Sequence, residues 1–188
     1  MRIVMLGPPG VGKGTQAVLL AQAKGIPHIS TGEMMRETVA SGSSLGMRIK
    51  EYLDRGELVP DEVMIDVMRE RLARPDCANG FVLDGFPRTV AQAEALDVLL
   101  AELNMRLTHV VDLSVPENVL LERISKRAMS GTRRSDDNPE VAKRRLEVYR
   151  MQTAPVGEYY LKQGNVIRIE SLAGVSEVQA EILRAIGN

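Results

Sequence analysis

Short, nearly uninterrupted apolar runs alternate along the chain with longer stretches of helical apolar spacing. The runs are Arg2–Leu6, residues 28–29, Phe81–Asp84, residues 109–113 and residues 166–169. Each is short, mostly apolar and followed by helix-start chemistry. A run apolar on both faces suits a strand covered by helices on both sides. The alternation predicts an α/β fold with a five-stranded parallel sheet between two helical layers.

Helix starts are legible at several points. Ser30-Thr31-Gly32-Glu33, Thr89-Val90-Ala91-Gln92 and Ser114-Val115-Pro116-Glu117 have the form of a capping box. Asn138 followed by Pro139 has the form of an N-cap and first helical residue. Two regions break the alternation. Residues 31 to about 74 are helical, with turns near Gly42 and Gly56 and no clear strand. Residues 129–138 form a short loop rich in Ser, Asp and Arg. Both have the character of insertions at the sheet edge, where substrates would dock. No repeat, low-complexity segment or disordered linker divides the 188 residues, so one domain is expected.

Composition narrows the chemistry. The net charge of −1 supplies no global field toward nucleic acid or anionic lipid. Yet nine of the 24 Lys and Arg residues fall between Arg123 and Arg150, a local excess that suits a compact anionic ligand. Cys77 is the only cysteine, so neither an intrachain disulfide nor a four-cysteine zinc site can form. The first apolar run is too short for a signal peptide or a membrane span, and a reducing, cytosolic setting is the expectation.

Gly7-Pro8-Pro9-Gly10-Val11-Gly12-Lys13-Gly14-Thr15 joins the first predicted strand to the first predicted helix. That is the context a P-loop requires: glycines turn backbone N–H groups inward around a phosphate, and the helix start adds its dipole. Lys13 would reach the β- and γ-phosphates. The match departs from the general motif at Gly14, where Ser or Thr is usual; Thr15 comes one residue later. A glycine-rich turn without a ligand is the rival reading, and four glycines in eight residues before a lysine-led helix argue against it.

Phe81-Val82-Leu83-Asp84-Gly85-Phe86-Pro87-Arg88 is a strand ending in an acid, a glycine turn and an arginine. Asp84 would emerge at the carboxyl end of a parallel strand, where open α/β sheets bind ligands. It could orient water around Mg²⁺, and Arg88 could clamp a phosphate bidentately. With the P-loop and Ser30-Thr31-Gly32-Glu33-Met34-Met35-Arg36, this segment resembles the signature segments of the adenylate kinases in order and spacing. The similarity extends over essentially the whole chain, through Arg123, Arg127, Ser135-Asp136-Asp137-Asn138, Arg145 and Thr153-Ala154-Pro155. Gly14-Thr15 is itself a mark of that family.

The resemblance implies a single P-loop kinase domain with a three-layer α/β/α core at residues 1–29, 60–127 and 137–188. A helical nucleoside-monophosphate-binding insertion would occupy about 30–59 and a short lid about 128–136. It implies transfer of the terminal phosphoryl group of ATP to AMP, giving ADP, with Mg²⁺ and no zinc. Gly10, Val11, Gly12, Lys13, Gly14 and Thr15 would hold the ATP phosphates. Arg123 and Arg127 would face ATP, with the backbone of Gly174 against its adenine. Thr31 and Arg36 would hold AMP, the backbone of Glu57, Leu58 and Val59 would line its base, and Gln92 would meet its adenine. Gly85, Phe86, Pro87 and Arg88 would take its phosphate side. Arg134 and Arg145 would contact the transferring group and AMP, Arg133 being the alternative to Arg134. Asp84 would serve the metal through water. A monomer without nucleic-acid or membrane partners completes the expectation.

Other readings stand beside these. Gln92 could merely complete the box begun by Thr89, and Thr31 could be only an N-cap. Asp112 reads as structural, His28 and His109 as packing or edge residues, Arg144 and Arg150 as a solvated helix face, and the methionines as core filler. A UMP/CMP kinase shares most of the motifs, although Thr31 with Gln92 favours adenine. A nucleotide-dependent switch is the reading from another class; no Asn-Lys-x-Asp guanine motif occurs, and so many arginines would serve no purpose in it.

Overall fold

The computed structural model describes residues 1–129 and 139–187. The five strands are β1 (Arg2–Leu6), β2 (His28–Ser30), β3 (Phe81–Asp84), β4 (His109–Ser114) and β5 (Val166–Glu170). All pair in parallel, in the order β2-β3-β1-β4-β5. They coincide with the predicted runs to within a residue at their carboxyl ends. The predicted short lid at 128–136 falls almost wholly outside the described residues, as does the Asn138 cap.

Side-chain alternation divides the strands between two apolar layers. Val4, Leu6, Phe81, Leu83 and Val110 point to one face, where α4 (Asp61–Leu72), α5 (Val90–Glu102) and α8 (Ala154–Leu161) supply Met68, Leu96 and Tyr160. Ile3, Met5, Val82, Val111 and Ile169 point to the other, against Leu20 of α1 (Lys13–Lys24), Ile124 of α6 (Glu117–Met129) and Ile182 of α9 (Val175–Ile186). Burying each such side chain is worth about 1.5–3 kcal/mol, so a strand apolar on both faces is held from both sides. Among the described residues, no helix is long and apolar enough to cross a membrane.

The crossovers position the site. β1 is followed by α1 on one face, and β3 by α5 on the other, although β1 and β3 are hydrogen-bonded neighbours. The loops leaving these strands therefore diverge and open a crevice at the carboxyl edge, the place where open α/β sheets take ligands.

Between β2 and α4 the chain forms two helices, α2 (Thr31–Ala40) and α3 (Ser44–Arg55). Ser30 is the N-cap of α2 and its Oγ accepts from Glu33 N at 3.3 Å, so Thr31 is the first helical residue and not the cap. Gly56 ends α3 in the left-handed conformation. The box read at Ser114 does not form: β4 runs on to Ser114, paired with Glu170, and α6 starts at Glu117 with its first bonds to the Pro116 carbonyl. A π-helical turn, Tyr149–Thr153, for which the apolar pattern carries no signal, joins α7 (Pro139–Val148) to α8. Pro155 has no N–H for the ordinary bond four residues back, and the helix widens there.

α2 and α3 cross at Gly46. A Cβ there would fall inside contact distance of the Thr38 carbonyl oxygen and lie 3.1 Å from Val39 Cα. Both neighbours are backbone and cannot swing aside. Gly46→Ala is expected to destabilise this pair by about 1–3 kcal/mol, the usual cost of overpacking. Native-state hydrogen exchange would show it as faster exchange of α2 and α3 amides, with β1 and β3 amides unchanged.

Candidate active site

Leu6 ends β1, and the chain makes a tight loop before α1 begins at Lys13. Gly10 and Gly12 have φ of 86° and 106°, a conformation that turns successive N–H groups inward. Gly12 caps α1 without a side chain, and the first turn of α1 contains no acid. The helix start is left with open N–H donors and an uncompensated dipole, which together favour an anion.

Lys13 lies under this loop. Its Nζ donates to the carbonyls of Gly7 at 2.5 Å and Pro8 at 3.0 Å. Burial pushes its ammonium down to about 8 from 10.5; Asp84 and Asp112 oppose the shift, while Arg88 and Arg145 add to it. The cation is thus poorly solvated and faces other cations, an arrangement that a bound anion would relieve.

Asp84 closes β3 opposite the loop. Burial alone would raise its carboxyl. His28 and the charges of Lys13 and Arg88 outweigh that and hold it below the ordinary range. His28 Nε2 lies 3.8 Å from Asp84 Oδ2, an ion-pair distance too long for a direct hydrogen bond. His28, which the sequence suggests as a packing or edge residue, therefore borders the site. Asp84 also accounts for the departure at Gly14: a Cβ on Gly14 would lie 3.3 Å from Asp84 Oδ2, so a serine or threonine would crowd the carboxylate. Asp112 carries a structural contact, 3.9 Å from Arg168 Nε, but is close enough to Lys13 for each to perturb the other.

The arginines converge unequally. Arg88 donates from Nε to Gly85 O at 2.8 Å, and the backbone carbonyl of Arg88 accepts from Thr153 Oγ1 at 2.8 Å. Gly85 is needed for this turn: its φ is 88°, and a Cβ would lie 2.7 Å from Thr31 Oγ1 and 3.1 Å from Arg88 Nη2. Arg36, Arg88, Arg123 and Arg145 line one cleft of about 760 Å³ with Lys13, Gly14, Thr15 and Asp84. Arg123 is anchored to the loop itself, with Nη1 to Val11 O at 3.0 Å and Nη2 to Ser171 O at 2.7 Å. Arg133 and Arg134 lie outside the described residues, as does the side chain of Arg127.

A smaller recess opens beside the cleft, lined by Thr31, Glu57, Leu58, Val59, Arg88 and Gln92. Thr31 is buried and donates to Asp84 O at 3.4 Å. Gln92 is buried too, and it does not complete the Thr89 box. Its Oε1 accepts from Arg88 N at 2.7 Å, and its Nε2 donates to Asp61 Oδ1 at 2.7 Å. Only half the box exists, Thr89 Oγ1 accepting from Gln92 N at 3.1 Å. Asp61, which belongs to no motif in the sequence, is joined to the site through this bond. Phe86 sits in the core, so only its backbone faces the turn. Gly174 is exposed at the start of α9 with both backbone groups engaged, its N–H to Glu177 Oε2 at 2.8 Å and its carbonyl from Val178 N at 3.0 Å. Its neighbour Val175 is what lines the cleft. Among the described residues, no three His, Cys, Asp or Glu side chains gather as a metal cage.

Comparison with known proteins places this geometry. The family model described as adenylate kinase matches residues 5–165. The adenylate kinases of Brucella anthropi and Brucella ovis are each 49% identical to this chain over 189 residues, covering 98% of it and 97% of their own length.

The state of Lys13 has a measurable sign. In the ligand-free fold it binds fewer protons than in the unfolded chain between about pH 8 and 10.5. Its burial therefore costs stability fully below pH 8, and the cost fades as pH rises through that window. A polyphosphate restores the charge. Calorimetric titration of ATP at pH 9 in buffers of different ionisation enthalpy should show uptake approaching one proton, and at pH 7 much less. Equal uptake at both values would remove Lys13 as the titrating group.

Proposed function

The chain belongs to the adenylate kinase family, and from that we propose that it transfers the terminal phosphoryl group of ATP reversibly to AMP, giving two ADP. The observation that carries the reading is the single cleft between the P-loop and α2, lined by Lys13, Asp84, Arg36, Arg88, Arg123 and Arg145. One end offers helix-start N–H groups to a triphosphate; the other offers arginines to a monophosphate.

Phosphoryl transfer asks the protein for alignment, charge neutralisation and exclusion of water more than for covalent chemistry. The acceptor is a phosphate oxygen of AMP, ionised at neutral pH, so no general base is required. In our reading the backbone of Gly10 to Thr15 holds the ATP phosphates and Lys13 swings from the Gly7 and Pro8 carbonyls to the β- and γ-phosphates. Arg88 and Arg36 take the AMP phosphate. Arg123, Arg127, Arg134 and Arg145 neutralise charge on the transferring group. A donor aimed at such charge is typically worth about 3–4 kcal/mol in the transition state. Thr31, the backbone of residues 57–59 and Gln92 would form the AMP base recess. The insertion at about 30–59 and the short lid at about 128–136 would be the covers that keep water out.

Mg²⁺ fits the donors present. Mg²⁺ keeps several waters and is held by one or two carboxylates together with substrate phosphates, not by an all-protein cage. Asp84, ionised and beside the loop, is the carboxylate placed to hold it through water. When bound, the metal would screen the β- and γ-phosphate charges. A monomer in the cytosol, with no nucleic-acid or membrane partner, belongs to the same proposal; the supporting facts are the net charge of −1 and one buried cysteine, Cys77.

A coupled assay for ADP with ATP plus AMP, CMP, UMP or GMP should give turnover with AMP and little with the rest. ADP formation independent of added AMP would overturn the kinase reading. Lys13→Ala should lower kcat at least about a hundredfold without lowering the melting temperature, since the buried charge that it removes costs stability at neutral pH. Arg88→Lys tests the acceptor end. A lysine cannot both bond the Gly85 carbonyl and fork onto a phosphate. Loss of kcat/KM for AMP on the order of tenfold to a thousandfold is expected, with ATP binding nearly unchanged. Equal weakening toward both nucleotides would mean general damage to the fold.

A further inference from the structure

Asp61, Thr89, Arg88 and Gln92 form a closed hydrogen-bonded ring with a fixed direction. Thr89 Oγ1 accepts from Gln92 N at 3.1 Å, so its own proton goes to Asp61 Oδ2 at 3.0 Å. Asp61 Oδ1 takes the Gln92 amide N–H at 2.7 Å, and Gln92 Oε1 takes the Arg88 backbone N–H at 2.7 Å. A carboxylate only accepts and a backbone N–H only donates. Turning the Gln92 amide over would set acceptor against acceptor at Asp61 and donor against donor at Arg88. Gln92 is 2% exposed, so water cannot compensate for either clash.

We propose that Asp61 is a positioning residue that locks the polarity of the Gln92 amide and so sets which base edge the acceptor site can take. This rests on the reading that Gln92 faces the base of the acceptor nucleotide. With the ring closed, Nε2 has one N–H left and Oε1 one lone pair. They can donate to a ring nitrogen and accept from an exocyclic amino group, which is the edge of adenine. A 6-oxopurine presents the inverse, a ring N–H beside a carbonyl, and would need the turned amide that Asp61 and Arg88 forbid. Thr31, Leu58 and Val59 shape the recess; the polarity comes from Asp61, which is not among the residues lining it.

The experiment compares AMP with inosine monophosphate, which has the same shape and the inverted edge. The readout is the ratio of their kcat/KM values, with inhibition by inosine monophosphate against AMP as the binding measure. Both values come from one preparation, so the ratio does not depend on how much of a variant is folded. Asp61→Asn keeps the size, and with Thr89 still donating to its oxygen it presents an N–H₂ to Gln92. It should lower the AMP preference by about tenfold to a hundredfold, the scale of a hydrogen bond to a charged group, with inhibition by inosine monophosphate strengthened. Asp61→Ala should lower the preference as well, with KM for ATP unchanged in both. Gln92→Leu separates the premises. If Gln92→Leu loses the preference while both Asp61 variants keep it, the lock is overturned and the base reading stands. If Gln92→Leu keeps the preference, the base reading fails and the lock with it. An equal fall for both nucleotides in the Asp61 variants would make Asp61 merely structural and overturn the proposal.

Discussion

The parallel pairing of β1 with β3 is the constraint on which the rest depends. Met5 stands opposite Asp84 in that ladder, so the two strands end together at one edge of the sheet. Their crossovers then leave toward opposite faces. The backbone must open between them, and the P-loop and the Asp84–Arg88 turn form the two lips of that opening. Neither segment is a site alone. One is a glycine turn with a lysine beneath it, and the other is an acid followed by an arginine. The sheet sets them face to face across a gap small enough for Gly14 and Asp84 to limit each other's size.

Electrostatics in the cleft follow from that closeness. Lys13 is deprived of water and placed among Arg88 and Arg145, and only Asp84 and Asp112 offset them. Such a centre stores a preference for an anion before any arrives. The same desolvation that lowers the lysine would strengthen its attraction to a phosphate once water is excluded. Arg123, tied to the Val11 carbonyl, makes the loop and α6 one unit, so a ligand on the loop has a cation already in place.

Hydrogen-bond direction constrains the site as much as charge does. The Arg88 side chain is held by the Gly85 carbonyl, its N–H by Gln92 and its carbonyl by Thr153 of the π-helical turn. Two near neighbours in sequence and one residue 65 positions away thus hold Arg88 from three sides. The bonds that join Asp61, Thr89, Gln92 and the Arg88 N–H each run in one direction, and few arrangements of their protons are allowed. A network of this kind converts positions into polarity, which is what distinguishes bases of equal size.

The strands, the P-loop, the order of the signature segments and most of the charged residues of the cleft were legible from sequence. They depend on local chemistry: apolar runs of strand length, glycines where the backbone reverses, and a lysine or arginine at a fixed offset from a strand end. Other features were not legible, because they depend on partners far along the chain. The Ser114 box failed because β5 draws β4 out to Ser114, a pairing that no local signal encodes. His28 lies on an edge strand, as its place in the sequence suggests, but only the pairing of β2 with β3 puts it next to Asp84. The π-helical turn has its cause in Pro155, but its use appears only where Thr153 meets Arg88. Asp61 and Gln92 are 31 residues apart and carry no motif in common. Sequence by itself determined which chemical groups the site would have, since their types and local spacing are written in the chain. Tertiary structure decided which of their atoms face one another, because hydrogen-bond direction is settled only when the last partner is in place.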